Sequence, residues 1–275
     1  MKKTIIANWK MNSSFDEAKV WVENIIKKID HKNIDDLPEI VLCPPSVMID
    51  FIDDLLLEKE FEEIEKLHKT IDDIPEGELE KLVENLRYIK LGSQDCHHEE
   101  EGAFTGDISA KMIKDCGGDY TILGHSERRS RHAESSELVA KKVKAAVKAE
   151  LAPIICVGES KEQRDCGEHK EFIKNQLKDS LPKDVKISEL IIAYEPIWSI
   201  GSGLTPSIAQ IEEMIALIKA ELEVNDNIDE FEIVYGGSAN AFNAAEILKG
   251  KNVDGLLVGG ASLKDDEFFK IIQSA

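Results

Sequence analysis

The chain has 275 residues, 42% of them hydrophobic, and a formal net charge of −20. Such a charge excludes general nucleic-acid binding, which neutralises phosphates with a basic surface, but a small anion can still be held by backbone N–H groups at helix N-termini. No apolar run approaches the roughly 20 residues that span a bilayer, and Thr4-Ile5-Ile6-Ala7 is too short for a signal-peptide core, so a soluble, cytoplasmic protein is expected.

The first apolar run, Thr4 to Ala7, reads as a short covered strand, and Asn8-Trp9-Lys10 follows it. An amide and an ammonium thus leave the carboxyl end of the first strand, where barrel enzymes build their sites. Alone, a lysine after a strand is an ordinary solvated group. Phe15, Ala18, Val22, Ile25, Ile26 and Ile29 then recur at three- and four-residue spacing, which predicts an amphipathic helix. The second strand is expected over Ile40 to Cys43. The interval from Phe51 to Arg87 is long enough for two helices where the other units hold one. Leu57, Phe61, Ile64, Leu67 and Ile71 form one stripe, and Leu79, Leu82, Val83 and Leu86 a second, with Ile74-Pro75-Glu76-Gly77 as the turn between them. From Asp53 to Glu84 there are 13 acids against 4 lysines, a net −9, so a solvated outer face is expected for this extended helical segment, 51–87.

Ile89 to Leu91 reads as the third strand. His97-His98, followed by Glu99-Glu100-Glu101, lacks metal-ligand spacing; the two rings are expected to point apart, and no metal is assigned. The fourth strand, Tyr120 to Leu123, runs into Gly124-His125-Ser126-Glu127-Arg128-Arg129. His125 therefore stands before a polar turn able to open a helix, whose positive end disfavours imidazolium and leaves a neutral hydrogen-bond donor. An isolated histidine there would equally satisfy local backbone groups. Pro153 to Val157 is the fifth strand. Cys43 and Cys156 read as small core residues, and the five cysteines, odd in number and without a Cys-x-x-Cys pair, as reduced thiols.

Leu190 to Ala193 is the sixth strand, and Glu195 emerges at its carboxyl end. Pro196-Ile197-Trp198 is a stiff hinge, while Gly201 and Gly203 free the other end of the loop, the layout of a catalytic base beneath a moving lid. Ile208, Ile211, Ile215, Ile218 and Leu222 mark another helix. The seventh and eighth strands, Phe231 to Tyr235 and Gly255 to Val258, lead into Gly236-Gly237-Ser238 and Gly259-Gly260-Ala261, each before a helix-like segment. Paired glycines let the backbone approach an anion, and barrels commonly bind phosphate after strands 7 and 8. Gly201-Ser202-Gly203 lacks the rest of a dinucleotide fingerprint, and no P-loop occurs. Eight strands alternating with helices predict an α/β chain closed into a (β/α)8 barrel, one domain over residues 1–275.

Ala7 to Asn12, Gly102-Ala103-Phe104-Thr105-Gly106, Gly124 to Arg129, Cys156-Val157-Gly158-Glu159-Ser160, Ala193 to Gly203, Tyr235 to Ser238 and Gly259-Gly260 together closely resemble the triosephosphate isomerase family. The likeness runs from the first strand to the last, and residues 51–87 are the clear departure. It implies a TIM barrel that interconverts dihydroxyacetone phosphate and glyceraldehyde 3-phosphate through an enediolate, with no metal and no organic cofactor. On this likeness Glu195 moves the carbon-bound proton, while a neutral His125 polarises the carbonyl and shuttles protons between the oxygens, as the family's histidine does. Lys10 steadies the enediolate charge and Asn8 helps to set the substrate, while Gly201, Ser238, Gly259 and Gly260 hold the phosphate. Closure of the lid excludes water and suppresses phosphate elimination. Family members are typically homodimers in which the loop after the third strand, here Gln94 to Thr105, inserts into the partner.

Two other readings are another phosphate-binding barrel isomerase and a non-catalytic barrel scaffold. Lys10, His125 and Glu195 occurring together argue against the scaffold.

Overall fold

The computed structural model describes residues 2–29, 36–67, 87–200 and 204–275, with side chains as far as residue 62 in the second stretch. Gly201, Gly203, the second stripe of the acidic segment and the side chains of Ile64, Leu67 and Ile71 lie outside the described residues.

The apolar runs form β1 (Thr4–Asn8), β2 (Glu39–Cys43), β3 (Ile89–Ser93), β4 (Tyr120–Leu123), β5 (Ala152–Val157), β6 (Ile187–Tyr194), β7 (Ile228–Tyr235) and β8 (Gly255–Val258). They pair in parallel in chain order, and β8 returns to β1, so the sheet closes into the predicted barrel. β6 and β7 begin earlier than their apolar runs. Their first residues pair as Ile187 with Ile228 and Glu189 with Glu230, leaving exposed polar side chains that a search for apolar runs passes over.

Beyond those exposed starts both faces of the strands are covered, and alternation divides the core in two. Ile6, Val41, Cys43, Tyr120, Ile122, Ile154, Cys156, Ile191, Ala193, Val234 and Leu257 form one cluster, the barrel interior. The residues between them, such as Ile5, Ala7, Leu42, Ile155, Ile192 and Val258, pack in the larger cluster with the surrounding helices. A period of two with both phases apolar is what a fully covered parallel strand requires. Burial pushes the Cys43 and Cys156 thiols up, so both remain protonated core groups.

The helices are α1 (Phe15–Lys28), α2 (Ile49–Leu67), α3 (Ala110–Asp115), α4 (Ser126–Arg131), α5 (Ser136–Lys148), α6 (Lys161–Asp165), α7 (His169–Ser180), α8 (Ile208–Leu222), α9 (Ala244–Leu248) and α10 (Asp265–Ile272). Capping boxes open α1 (Ser14 with Glu17) and α8 (Ser207 with Gln210), satisfying N–H groups that have no partner within the helix. The predicted stripes of both helices are buried from Ala18 to Ile26 and from Ile211 to Leu222, whereas Phe15 stays half exposed and meets Phe51 edge-on at 5.1 Å. α1 also anchors the end of the chain, because Trp21 Nε1 donates to the Ser262 carbonyl at 2.9 Å.

α2 departs from the predicted stripe. Phe61 is exposed and Leu57 only half-buried, while Ile52, Leu55, Leu56 and Glu60 face inward. The cause is Arg87, just before β3, whose Nη1 lies 2.9 Å from Asp53 Oδ1 and whose Nε lies 3.2 Å from Glu60 Oε1. Two acids expected on a solvated face are thereby drawn inward, which a hydrophobic periodicity cannot register.

The seam between β8 and β1 has no room for a side chain at Gly255, where a Cβ would stand 1.9 Å from the Thr4 carbonyl oxygen. Gly255→Ala is therefore expected to lower folding stability by about 3 kcal/mol, read as a lowered urea midpoint.

Candidate active site

Alternation carries inward-facing positions to the mouth of the barrel. Asn8 continues the phase of Ile6, Glu195 that of Ile191 and Ala193, Gly236 that of Val234, and Gly259 that of Leu257. They meet at a cavity of about 550 Å³ lined by Asn8, Lys10, His125, Glu195, Ser238, Gly259 and Gly260, together with Glu127 and Lys264. Every predicted site residue within the described stretches is thus brought to one place. The remaining one, Gly201, lies outside them.

His125 reaches the mouth by breaking the alternation. Gly124 has φ +65°, a left-handed conformation that favours glycine, and an added Cβ would sit 2.7 Å from Arg129 Nη2 and 2.8 Å from Val139. The turn makes His125 the N-cap of α4, with Nδ1 accepting the Glu127 N–H at 3.2 Å. In the neutral ring the proton therefore sits on Nε2, which lies 3.0 Å from Glu195 Oε1. The other carboxylate oxygen accepts the Ser126 N–H at 3.2 Å. Glu195 is only 2% exposed.

This contact corrects one expectation. Burial pushes the His125 imidazolium down, but the charge and hydrogen bond of Glu195 more than offset it, and the net direction is upward. The helix N-terminus was expected to dominate. It supplies only one N–H to Nδ1, while a carboxylate stands in direct contact with Nε2.

Lys10 adopts a left-handed backbone at φ 54°, unusual for a side chain with a Cβ, and the surroundings hold it there. Its N–H donates to Asn8 Oδ1 at 3.0 Å, and Gln94 Nε2 donates to its carbonyl at 2.8 Å and to that of Cys43 at 3.0 Å. Its ammonium lies 2.8 Å from Glu127 Oε1. Burial raises the Glu127 carboxyl, but the Lys10 hydrogen bond and charge outweigh it and hold it below the usual range. Neither Glu127 nor Gln94 was expected at the site: Glu127 lies inside the run that carries His125, and Gln94 was named only as the start of the loop after the third strand.

The segment after Glu195 that reads as a hinge forms a 3-10 turn, Ile197–Ser199. It is fastened by Glu159, fully buried, whose Oε1 accepts from Trp198 Nε1 at 2.9 Å and Tyr194 Oη at 3.1 Å. Glu159 was visible only as part of a matched run. Its neighbour Gly158 makes room for the Glu195 backbone, since a Cβ there would stand 1.7 Å from the Glu195 carbonyl oxygen.

Beyond β8, Ser262 donates through both its N–H and its hydroxyl to the Gly259 carbonyl, at 2.8 and 2.7 Å, shaping a 3-10 turn over Gly260–Leu263. The first N–H groups of such a turn have no partner within it and can bind an anion. Beyond β7 no helix starts directly. Asn243 Nδ2 donates to the Ser238 carbonyl at 2.9 Å, and α9 begins only at Ala244. In the loop after β3, the His97 and His98 rings lie 4.3 Å apart rather than pointing away from each other, and His97 also packs on Phe104 at 4.4 Å.

A carboxylate against an imidazole, with a lysine and paired glycines at the carboxyl ends of eight parallel strands, defines a barrel protein equipped for acid–base chemistry on an anionic ligand. The sequence profile of the triosephosphate isomerase family matches residues 3–79 and 74–275. Triosephosphate isomerase of Alkaliphilus oremlandii is 39% identical over 99% of both chains, and that of Gloeothece citriformis 42% identical, again over 99% of both. The crystal structure of triosephosphate isomerase from Bartonella henselae superposes with a TM-score of 0.78 at 33% identity, covering 100% of this chain and 99% of that one. The chain belongs to the triosephosphate isomerase family.

The alignment of the carboxylate depends on Gly236, where a Cβ would lie 2.9 Å from Glu195 Cγ. Gly236→Ala is expected to displace Glu195 and lower turnover about 100-fold, with an unchanged circular dichroism spectrum.

Proposed function

We propose that Glu195 and His125 carry out the proton transfers of the family reaction, the interconversion of dihydroxyacetone phosphate and D-glyceraldehyde 3-phosphate. The observation that carries the assignment is their 3.0 Å contact at the barrel mouth. That separation leaves no space for a substrate oxygen, so binding turns Glu195 off Nε2 and towards the substrate carbons. Once it has turned, the largest influence raising the histidine is withdrawn; burial, the Lys10 charge and the N–H on Nδ1 then favour the neutral ring against the smaller pull of Glu127.

In that state Nε2–H donates to the substrate carbonyl, polarising it, while Glu195 removes the proton from the adjacent carbon. The resulting enediolate oxygen gains its negative charge beside Lys10, and Asn8 lines the same wall. His125 passes protons between the two oxygens, and Glu195 returns its proton to the neighbouring carbon. Proton transfer between a carboxylate, an imidazole and a carbon acid needs neither a metal nor an organic cofactor. The phosphate lies against Gly259, Gly260 and Ser238, with Gly201 contributing from the lid. The hinge turn held by Glu159 allows that lid to close as a unit and keep water from the enediolate.

A coupled assay with glyceraldehyde 3-phosphate tests the reaction and separates it from another isomerase or a scaffold. Glu195→Gln is expected to lose turnover by about 1,000-fold or more while retaining a phosphate ligand. Wild-type-like turnover in that variant would refute the assignment of the base.

A cytoplasmic homodimer completes the reading. Five free thiols favour a reducing compartment. The loop after β3 is exposed continuously over residues 99–108, including Phe104 at 41%, and Met11 and Val47 are exposed at 95% and 71%. Apolar groups on a projecting loop are what insertion into a second copy requires. Sedimentation is expected to give twice the chain mass, and Phe104→Arg to shift it towards one.

A further inference from the structure

A chain of net charge −20 repels a phosphate dianion at long range, so the local field at the cavity decides how readily one enters. Among the described residues lining it, the lysines and arginines are Lys10 and Lys264 alone, set against Glu127, Glu195 and Glu267. They differ in what holds them. Lys10 is bound to Glu127 at 2.8 Å, so much of its charge is met within the protein.

Lys264 is 78% exposed, and its ion-pair partner Glu267 lies 3.9 Å away, beyond hydrogen-bonding distance. The acids that follow it at the start of α10 weaken its field, but Asp265 and Asp266 share a counter-ion that offsets one of their two charges. Lys28, at the end of α1, reaches them at 2.5 and 2.6 Å. Burial lowers the Lys28 ammonium, yet those two carboxylates outweigh it and raise it overall, so its charge is secure. Lys264 closes the 3-10 turn that begins at Gly260, the turn placed against the phosphate. A weakly paired, solvent-reaching ammonium thus stands on the rim immediately beyond the anion-binding backbone.

The geometry points to Lys264 as a steering and specificity residue, drawing the phosphate dianion to the rim before it reaches Gly259 and Gly260 and favouring phosphorylated over unphosphorylated trioses. The inference rests on the triose-phosphate reading above. Exposed charges act over a Debye length of about 30 Å at 0.01 M ionic strength but only about 3 Å at 1 M, so salt removes the effect selectively.

The test compares Lys264→Gln with Lys251→Gln. Both remove one positive charge, but Lys251 is exposed in the turn entering β8, at the opposite end of the barrel. For Lys264→Gln, kcat/KM with glyceraldehyde 3-phosphate is expected to fall about fourfold at roughly 0.01 M ionic strength and to rejoin wild type at roughly 1 M. Its kcat, and its slow turnover of unphosphorylated glyceraldehyde, stay at wild-type values, and Lys251→Gln follows wild type throughout. Equal low-salt values for the two variants would overturn the proposal, as would a deficit that persists at high salt or extends to glyceraldehyde. No turnover by the unmodified protein would instead overturn the substrate reading, and this inference with it.

Discussion

The site depends first on the closure of the sheet. Once β8 pairs with β1, every strand has an inside and an outside, and a period of two decides which side chains reach the mouth. Asn8, Glu195, Gly236 and Gly259 arrive there because Ile6, Ala193, Val234 and Leu257 fill the interior below them. The same closure brings neighbouring backbones so close that Gly158 and Gly255 cannot carry a Cβ without meeting a carbonyl oxygen. The glycines next to the chemistry and those along the seam therefore answer one requirement.

A second layer fixes the loops that closure leaves free. Asp95, Arg128, Glu134 and Lys142 form a largely buried ionic network, with Lys142 2.6 Å from Glu134, Arg128 2.7 Å from both Asp95 and Glu134, and Lys142 2.7 Å from Asp95. Burial pushes the Asp95 carboxyl up, whereas at Glu134 the two cations outweigh burial and hold it low. Burying four charges gains little stability, and its effect is better understood as position. Asp95 follows Gln94, which holds the carbonyl of Lys10, and Arg128 follows Glu127, which pairs with the Lys10 ammonium and supplies the N–H on His125. One network thus sets both the lysine and the histidine.

The barrel was legible because its signals are local: short apolar runs, helical stripes between them, and glycine pairs after the last two strands. Glu195 was legible from its place between a covered strand and a stiff-then-loose loop, whereas His125 and Lys10, ordinary when read alone, took their roles from the family resemblance. Glu127, Gln94 and Glu159 were not legible, because each acts through a partner tens of residues away, and nothing about an isolated acid or amide reveals that distance. The inward turn of α2 was hidden for the same reason, since Glu60 becomes a buried residue only when Arg87 reaches it. Charge complementarity between distant segments leaves no periodicity in either one.

The protonation of His125 shows how a local rule can misdescribe a contact made across the fold. The N–H on Nδ1 fixes the tautomer, as a helix N-terminus should, but it does not decide the charge while a carboxylate lies 3.0 Å from Nε2. Burial works against charge on the ring, Glu195 is the strongest influence favouring it, and the Ser126 N–H holds one carboxylate oxygen in the present orientation. In the proposed reaction, a substrate seated between the two groups would offer Nε2–H a neutral carbonyl in place of an anion. On that reading the carboxylate is released towards carbon as the ring loses its reason to hold a second proton. A single rotation of one side chain can in this way ready both the base and the hydrogen-bond donor, because in the structure each is the other's partner.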